Sequence, residues 1–348
     1  MKISRRTILA GSISLLGTAC YSAQGERFGP GEETSPVSFE PFATGFAEVM
    51  GDQPQARLVS AGHTWSEGPV WDAERARLYF TDVPRNRAYR WSADGDKGVF
   101  LDPSGVDPEE AVGMREPGAN GLAIGRTGEL LICNHGRRAL EAMDLATGAR
   151  RSLVDRFEAK RFNSPNDLVE ASDGTIYFTD PPYGLEGLNN SPLKQLEING
   201  VYRLAPDGKL TRIVDFMTFP NGIVLSPDER SLYVSQSDPA APLVRRFDID
   251  ALRDGRGEEG ELWFNCQPFM HELGGLPDGM AVSTAGHVFL AGPAGVLVID
   301  PSGQCLGRIS TGRATANCAF GEDGMTLFMT AADRVLSVRT RVMGLGRF

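Results

Sequence analysis

One polar residue recurs in each of six similar segments of the chain, and this repeat restricts the fold more than any other feature of the sequence. Each segment has a polar residue beside glycine or proline, an apolar pair, a turn, and then an apolar run of strand-forming residues. The spacing of the segments leaves room for about four short strands in each. The six polar residues are Glu67, Asn120, Asn166, Asn221, Asp278 and Asn317.

Six units of four strands predict an all-β fold, a six-bladed β-propeller with a central channel. Helical periodicity is weak along the chain, which argues against an α/β fold. Two stacked β-sandwiches are the other all-β arrangement, but they would not predict one equivalent polar residue per unit. The first unit shows no clear outer strand, whereas residues 44–60 are placed to complete the last blade and close the ring.

The repeated polar residues predict a metal site on the propeller axis, because the first strand of each blade lines the channel. Two of them, Glu67 and Asp278, are carboxylates that would repel each other unless a cation lay between them. The other four are amides, whose oxygens add coordination without charge. An all-oxygen set favours calcium, with magnesium or manganese next; zinc is a further alternative that the lack of histidine and cysteine disfavours. A turn-forming role would explain any single Asn-Gly dipeptide, but not the aligned set of six.

Motifs around these residues resemble the gluconolactonase/regucalcin family of calcium-dependent hydrolases, in particular its bacterial gluconolactonase branch. The likeness runs from about residue 55 to the C-terminus. It implies a six-bladed propeller with Glu67, Asn166, Asn221 and Asp278 at the metal and Asn120 lining the site. The motifs are His63-Thr-Trp-Ser-Glu67-Gly-Pro-Val-Trp71, Ser164-Pro-Asn166-Asp-Leu168, Tyr177-Phe-Thr-Asp-Pro-Pro-Tyr183-Gly184, Pro220-Asn221-Gly222 and Pro277-Asp278-Gly-Met280.

The expected activity is calcium-dependent hydrolysis of a sugar lactone to the aldonic acid, a step of carbohydrate metabolism. Asp278 is the candidate catalytic base, since a carboxylate beside a metal can take a proton from water. Asn120 and Asn166 are expected to bind substrate hydroxyls, and Tyr183 to form a wall of the pocket. His271 is expected on a loop near the channel mouth, where a substrate contact and a solvated-loop role are both open. Two alternatives stay open: another ester or an organophosphate as substrate, or a propeller that binds a ligand without catalysis.

The first twenty residues predict export. Ser4-Arg5-Arg6-Thr7-Ile8-Leu9 and the short apolar stretch after it are typical of a twin-arginine signal, which would deliver the protein to the periplasm. Cys20 could be lipidated and so anchor the protein to a membrane, although Gly17 stands where such sites usually have leucine. Residues 21–42 are rich in Gly, Ser, Pro and Glu and predict a flexible tether, with the propeller domain in residues 43–348.

Charge and cysteine usage narrow the class of partner. The formal net charge is −10, and no Lys/Arg run follows the N-terminus, so a nucleic-acid partner is not expected. The four cysteines after Cys20 show no metal-binding spacing, and buried free thiols are favoured over a single disulfide. The partner is therefore expected to be a small molecule, and the protein a monomer.

Overall fold

The computed structural model describes residues 27–28, 37–253 and 259–346. The predicted export signal, Cys20 and most of the predicted tether lie outside these ranges. Strands make up almost all of the regular structure within them, which confirms the all-β prediction. No helix in the described part of the chain is long and apolar enough to cross a membrane.

Six antiparallel sheets of four main strands follow one another along the chain, and we number them as blades 1 to 6. Blade 1 contains Ser66–Asp72, Arg77–Asp82, Arg87–Trp91 and Lys97–Leu101; blade 2 contains Ala119–Ile124, Leu130–Asn134, Ala139–Met143 and Arg150–Val154. Blade 3 contains Leu168–Glu170, Ile176–Asp180, Gly200–Leu204 and Leu210–Val214; blade 4 contains Pro220–Leu225, Ser231–Gln236, Leu243–Asp248 and Glu261–Asn265. Blade 5 contains Met280–Val282, Val288–Gly292, Gly295–Ile299 and Cys305–Ser310; blade 6 contains Asn317–Gly321, Thr326–Ala331, Arg334–Arg339 and the early strand Ala56–Ala61.

The blades form a closed ring. The first strand of each blade contacts the first strand of the next, and the first strand of blade 6 contacts that of blade 1. Blade 6 is completed by Ala56–Ala61, which pairs antiparallel with Arg334–Arg339. This pairing confirms the prediction that residues 44–60 help to close the ring, and the segment that closes it is 56–61. Hydrogen bonds between the two ends of the domain therefore hold the propeller shut.

Two predictions about strands at blade edges were wrong. Blade 1 does have an outer strand, Lys97–Leu101, whose sequence signal is weak because it contains Gly98 and its side chains are only partly buried. The segment 21–42 is not all tether, since Ser38–Pro41 pairs with Cys305–Ser310 as a fifth strand of blade 5. Phe39 packs there against the apolar cluster between blades 5 and 6, and this contact stabilises the pairing of the strand with blade 5.

Helices are short and lie outside the blades. The α-helices are Gly45–Met50 and Ile249–Arg253, and the 3₁₀ turns are Pro108–Glu110, Leu188–Asn190 and Gln267–Phe269. Two minor pairings complete the described elements: the hairpin of Arg156–Phe157 with Lys160–Arg161, and Arg27–Phe28 with the strand Ala56–Ala61.

The hydrophobic core consists of six clusters, one between each pair of adjacent blades. Side chains alternate between the two faces of each strand, so each blade contributes side chains to the clusters on both of its sides. In blade 3, Ile176 and Phe178 pack toward blade 2, whereas Tyr177 packs toward blade 4. Both faces of such a strand are buried, so its sequence is an apolar run. The four cysteines in the described ranges are free thiols within or against these clusters: Cys133, Cys266, Cys305 and Cys318.

Glycines that follow the repeated polar residues are required by close approach between blades. A Cβ on Gly222 would lie 2.2 Å from the carbonyl oxygen of Asp278, and one on Gly121 would lie 2.6 Å from that of Asn166. Neither glycine has a positive φ, so turn geometry is not the reason for them. The polar residue and glycine together thus form the contact between one first strand and the next.

Replacing Gly222 with alanine is expected to destabilise the protein by about 2 kcal/mol or more, because the new methyl group meets backbone that cannot move independently. Urea unfolding monitored by tryptophan fluorescence would measure the loss. Gly125→Ala is the matched control, since its Cβ would meet the flexible Leu131 side chain at 3.3 Å and the Glu129 carbonyl oxygen at 3.5 Å, an ordinary van der Waals contact. Equal stability of the two variants would contradict the close-approach argument.

Candidate active site

The six repeated polar residues all lie at the same end of the channel. Four fall at the start of a first strand, and Asn166 and Asp278 come two residues before one. Equivalent backbone bonds fix these two: Asn166 N donates to Thr179 O at 2.9 Å, and Asp278 N to Ala291 O at 2.9 Å. All six side chains are buried except that of Asp278, which keeps partial exposure. The repeat therefore places one polar group from every blade around the axis, as predicted.

Three of the amides form a continuous chain across blades 2, 3 and 4. Asn120 Nδ2 donates to Asn166 Oδ1 at 2.8 Å, Asn166 Nδ2 to Asn221 Oδ1 at 2.6 Å, and Asn221 Nδ2 to Ser237 Oγ at 2.8 Å. The Ser237 hydroxyl donates in turn to the carbonyl oxygen of Pro277, next to Asp278. Each amide is oriented by its neighbour, so the amide oxygens are held in place before any ligand arrives.

Two carboxylates face each other across the remaining arc of the channel. Burial raises the pKa of Glu67 from 4.5 to about 8, and the charges of Asp167 and Glu116 add to this effect. The pKa of Asp278 is raised well above its usual value, first by burial and then by the charges of Glu67 and Asp167. Negative charge is thus concentrated where water is scarce, and a cation would relieve it.

The donor set fits a hard divalent cation. Asp278 Oδ1 is buried without a hydrogen-bond partner. The side-chain oxygen of Asn221 accepts from Asn166 and has a second lone pair for an ion, and that of Asn166 lies next to it in the same amide chain. Within the described ranges, no three His, Cys, Asp or Glu side chains converge as a metal cluster. An ion here would therefore need amide oxygens beside Glu67 and Asp278, which is an oxygen-only environment of the kind that calcium prefers.

Asp167 is a third channel carboxylate that the sequence prediction missed. It occupies the position that glycine takes after Glu67, Asn120, Asn221 and Asp278, and aligning the six units would have shown this exception. Its Oδ1 accepts from Leu168 N at 2.9 Å, and burial raises its pKa to about 7. The side chain of Asn317 lies close enough to both Asp167 and Glu67 to lower their pKa values. Asn317 is therefore part of the polar group at the channel.

Glu116 is a fourth carboxylate at the channel, and no sequence pattern marks it because it lies in the connection between blades 1 and 2, outside the repeated strands. His135 lies between it and the amide chain. In the structure, His135 Nε2 is 3.2 Å from Asn120 Nδ2 and 3.3 Å from Asn166 Oδ1. Burial lowers the pKa of His135 to about 3, so the ring is neutral near pH 7.

The remaining predicted residues differ in their distance from the channel. The Tyr183 ring stacks on Phe219 with centroids 5.9 Å apart, and its hydroxyl is buried beside Ser237 and Asn221. This position agrees with the expected pocket wall. His271 is exposed, and its Nδ1 accepts from Leu273 N at 3.1 Å; among the contacts of the described residues, none joins it to the amide chain or the carboxylates. Its role in substrate binding stays a prediction.

Comparisons with known proteins give a consistent picture. Residues 65–333 match the family model described as SMP-30/Gluconolactonase/LRE-like region. A curated gluconolactonase of Zymomonas mobilis is 42% identical over 292 residues, which is 82% of this chain and 82% of that protein. The pentonolactonase XacC of Haloferax volcanii is 28% identical and covers 79% of this chain and 84% of its own length.

Solved structures agree with these matches. The crystal structure of XC5397 from Xanthomonas campestris, described as a gluconolactonase, superposes with a TM-score of 0.74 at 33% identity. The match covers 92% of this chain and 99% of that one. Residues 65–333, which match the family model, contain all six repeated polar residues together with Glu116 and Tyr183.

Proposed function

The chain belongs to the SMP-30/gluconolactonase/LRE-like family, and from this premise we propose that it is a lactonase that hydrolyses a sugar lactone to the aldonic acid in a reaction that depends on calcium. The 42% identity to a gluconolactonase over 82% of both chains supports a lactone as substrate. The metal dependence is supported by the site's own chemistry, four carboxylates and a fixed amide chain around one channel.

The observation that carries the proposal is the side chain of Asp278. Among the six repeated polar residues, only Asp278 has partial solvent exposure, and its Oδ1 is buried without a hydrogen-bond partner. A buried carboxylate oxygen without a hydrogen bond is costly, so a purely structural propeller would gain by replacing it. The cost is understandable if Asp278 has both a cation and a substrate water to bind.

The roles of the side chains follow from their positions. Glu67, Asn166, Asn221 and Asp278 would hold the cation, which when bound would polarise the lactone carbonyl. Asp278 lies at the open side and can take a proton from the attacking water. Asn120, whose Nδ2 contacts Asn166 Oδ1 and His135 Nε2, lies next to the ligand set and would line the substrate side of the site. Tyr183 closes the pocket on the side of Ser237 and keeps bulk water from the carboxylates.

A panel of five- and six-carbon aldonolactones, each assayed with calcium and with a chelator, tests the proposal. We expect hydrolysis well above the spontaneous rate for at least one aldonolactone, and its loss on chelation with recovery when calcium is returned. A simple aryl ester and an organophosphate serve as comparison substrates. Hydrolysis that continues in chelator would refute the metal dependence, and turnover of only the comparison substrates would refute a lactone as substrate.

A further inference from the structure

Glu116 is fixed beside the channel by its backbone. Its loop connects the last strand of blade 1 to the first strand of blade 2. Arg115 N and Glu116 N both donate to Gly184 O, at 2.9 and 3.3 Å, and Gly184 follows Tyr183. On the other side, His135 N donates to Gly118 O at 3.2 Å. These bonds hold the loop between Tyr183 and His135. The backbone of Glu116 is therefore positioned by its neighbours, independently of its side chain.

The carboxylate of Glu116 has acceptor capacity that the fold does not use. Glu116 is only 8% exposed. One of its oxygens lies 2.7 Å from Arg115 Nη2, and the other is 3.6 Å from His135 Nδ1, beyond normal hydrogen-bond length. An ionised carboxylate has about four acceptor positions. Arg115 fills one of them. The Arg115 side chain is about half exposed (51%), so an ion pair with Arg115 could form equally well at the surface and does not explain why Glu116 is buried.

The contacts of the carboxylate show where it faces. One of its oxygens lies 3.6 Å from His135 Nδ1, and the other ring nitrogen of His135 lies 3.2 Å from Asn120 Nδ2. The carboxylate is thus separated from the amide chain by one imidazole ring, and its charge raises the pKa values of Glu67 and Asp278 at the same channel. An acceptor at the entrance to a lactone site, with free lone pairs, suits a hydroxyl donor.

We infer that Glu116 accepts a hydrogen bond from a ring or side-chain hydroxyl of the substrate, and that this contact makes the site select polyhydroxylated lactones over lactones that lack hydroxyl groups. The inference rests on the proposed lactonase function and specifies its substrate class. Arg115 is then a positioning residue that holds one oxygen of Glu116 while the other faces substrate. A hydrogen bond to a charged acceptor is strong enough to give selectivity of about tenfold to a hundredfold.

The test compares D-glucono-1,5-lactone with δ-valerolactone, which has the same ring but no hydroxyl groups, at saturating calcium. In Glu116→Gln, kcat/KM for gluconolactone should fall about tenfold more than kcat/KM for valerolactone, and the loss should appear mainly in KM. Glu116→Asp keeps the charge but shortens the side chain, and it should also lose selectivity. This second variant carries the test if Glu116→Gln does not fold.

Glu141→Gln is the matched control. Glu141 is an equally buried glutamate of blade 2 whose partners are Asn134, Arg137 and Arg150, and its replacement should leave the ratio of the two lactones unchanged. Equal losses on both lactones in Glu116→Gln, or no loss, would overturn the inference while the lactonase function stands. A wild-type protein that hydrolyses neither lactone would overturn both.

Discussion

Asp278→Asn is expected to lower lactone hydrolysis at least about a hundredfold at saturating calcium. A positioned general base contributes about a hundredfold to ten-thousandfold to a rate, and the asparagine amide cannot take a proton from water. The variant should also bind calcium more weakly, because one of the two carboxylates of the predicted ligand set becomes neutral. Initial rates of acid release in a pH-stat, corrected for spontaneous hydrolysis, measure the first effect, and calorimetric titration with calcium measures the second.

Asp72→Asn is the matched control for this experiment. Asp72 is a buried aspartate at the far end of the first strand of blade 1, where its carboxylate bonds to Arg75 and to the backbone of the following turn. Its replacement should cost some stability and leave turnover near that of the wild-type protein. If Asp278→Asn kept more than about a tenth of the wild-type rate, another group would have to take the proton from water.

The blades could be predicted from sequence because one constraint repeats six times. Each unit needs a polar residue at the channel, close contact to the next first strand, and a second strand buried on both faces; Tyr79 and Tyr177 occupy equivalent places in such strands. The strand Lys97–Leu101 was missed because an outer strand buries little, so its sequence carries little pattern. The strand Ser38–Pro41 was missed because its partner is distant in sequence.

The site could be predicted only as far as the repeat extends. Asn120, Asn166 and Asn221 are repeat members, and the structure joins them in one hydrogen-bonded chain. Asp167 breaks the repeat by replacing a glycine. Glu116 lies in the connection between blades 1 and 2, and its position depends on backbone bonds to Gly184 that no local pattern encodes. Residues that come to a site through such single contacts need the folded structure to be found.

The metal-free protein is expected to lose stability as pH rises from about 4.5 to 8. In the folded state the pKa of Glu67 is raised from 4.5 to about 8, and those of Asp167 and Glu116 from 3.8 and 4.5 to about 7. Between these values the folded protein holds protons that the unfolded chain has already released, so stability falls with increasing pH. Each unit of pKa difference corresponds to about 1.4 kcal/mol, and several such groups act together.

His135 opposes part of this decrease. Its pKa falls from 6.5 to about 3 on folding, so the folded protein binds fewer protons than the unfolded chain between these values. Its contribution makes stability increase with pH up to about 6.5 and adds nothing above it. Because the three carboxyls of Glu67, Glu116 and Asp167 act in the opposite direction over most of that range, stability still falls with pH, and it falls more steeply once His135 no longer contributes.

Thermal unfolding across pH 5 to 9, in chelator and in millimolar calcium, measures the effect. In chelator we expect the midpoint to fall by about 5 °C or more toward high pH, given about 2 °C or more per kcal/mol for a chain of this size. Calcium should remove most of the decrease, because a bound cation stabilises the ionised carboxylates that form at high pH. Glu67→Gln, which cannot ionise, should show a shallower decrease in chelator than the wild-type protein. A decrease of equal slope in chelator and calcium would mean that the charged ring does not bind the ion, and would leave the burial of four carboxylates around one channel without its proposed purpose.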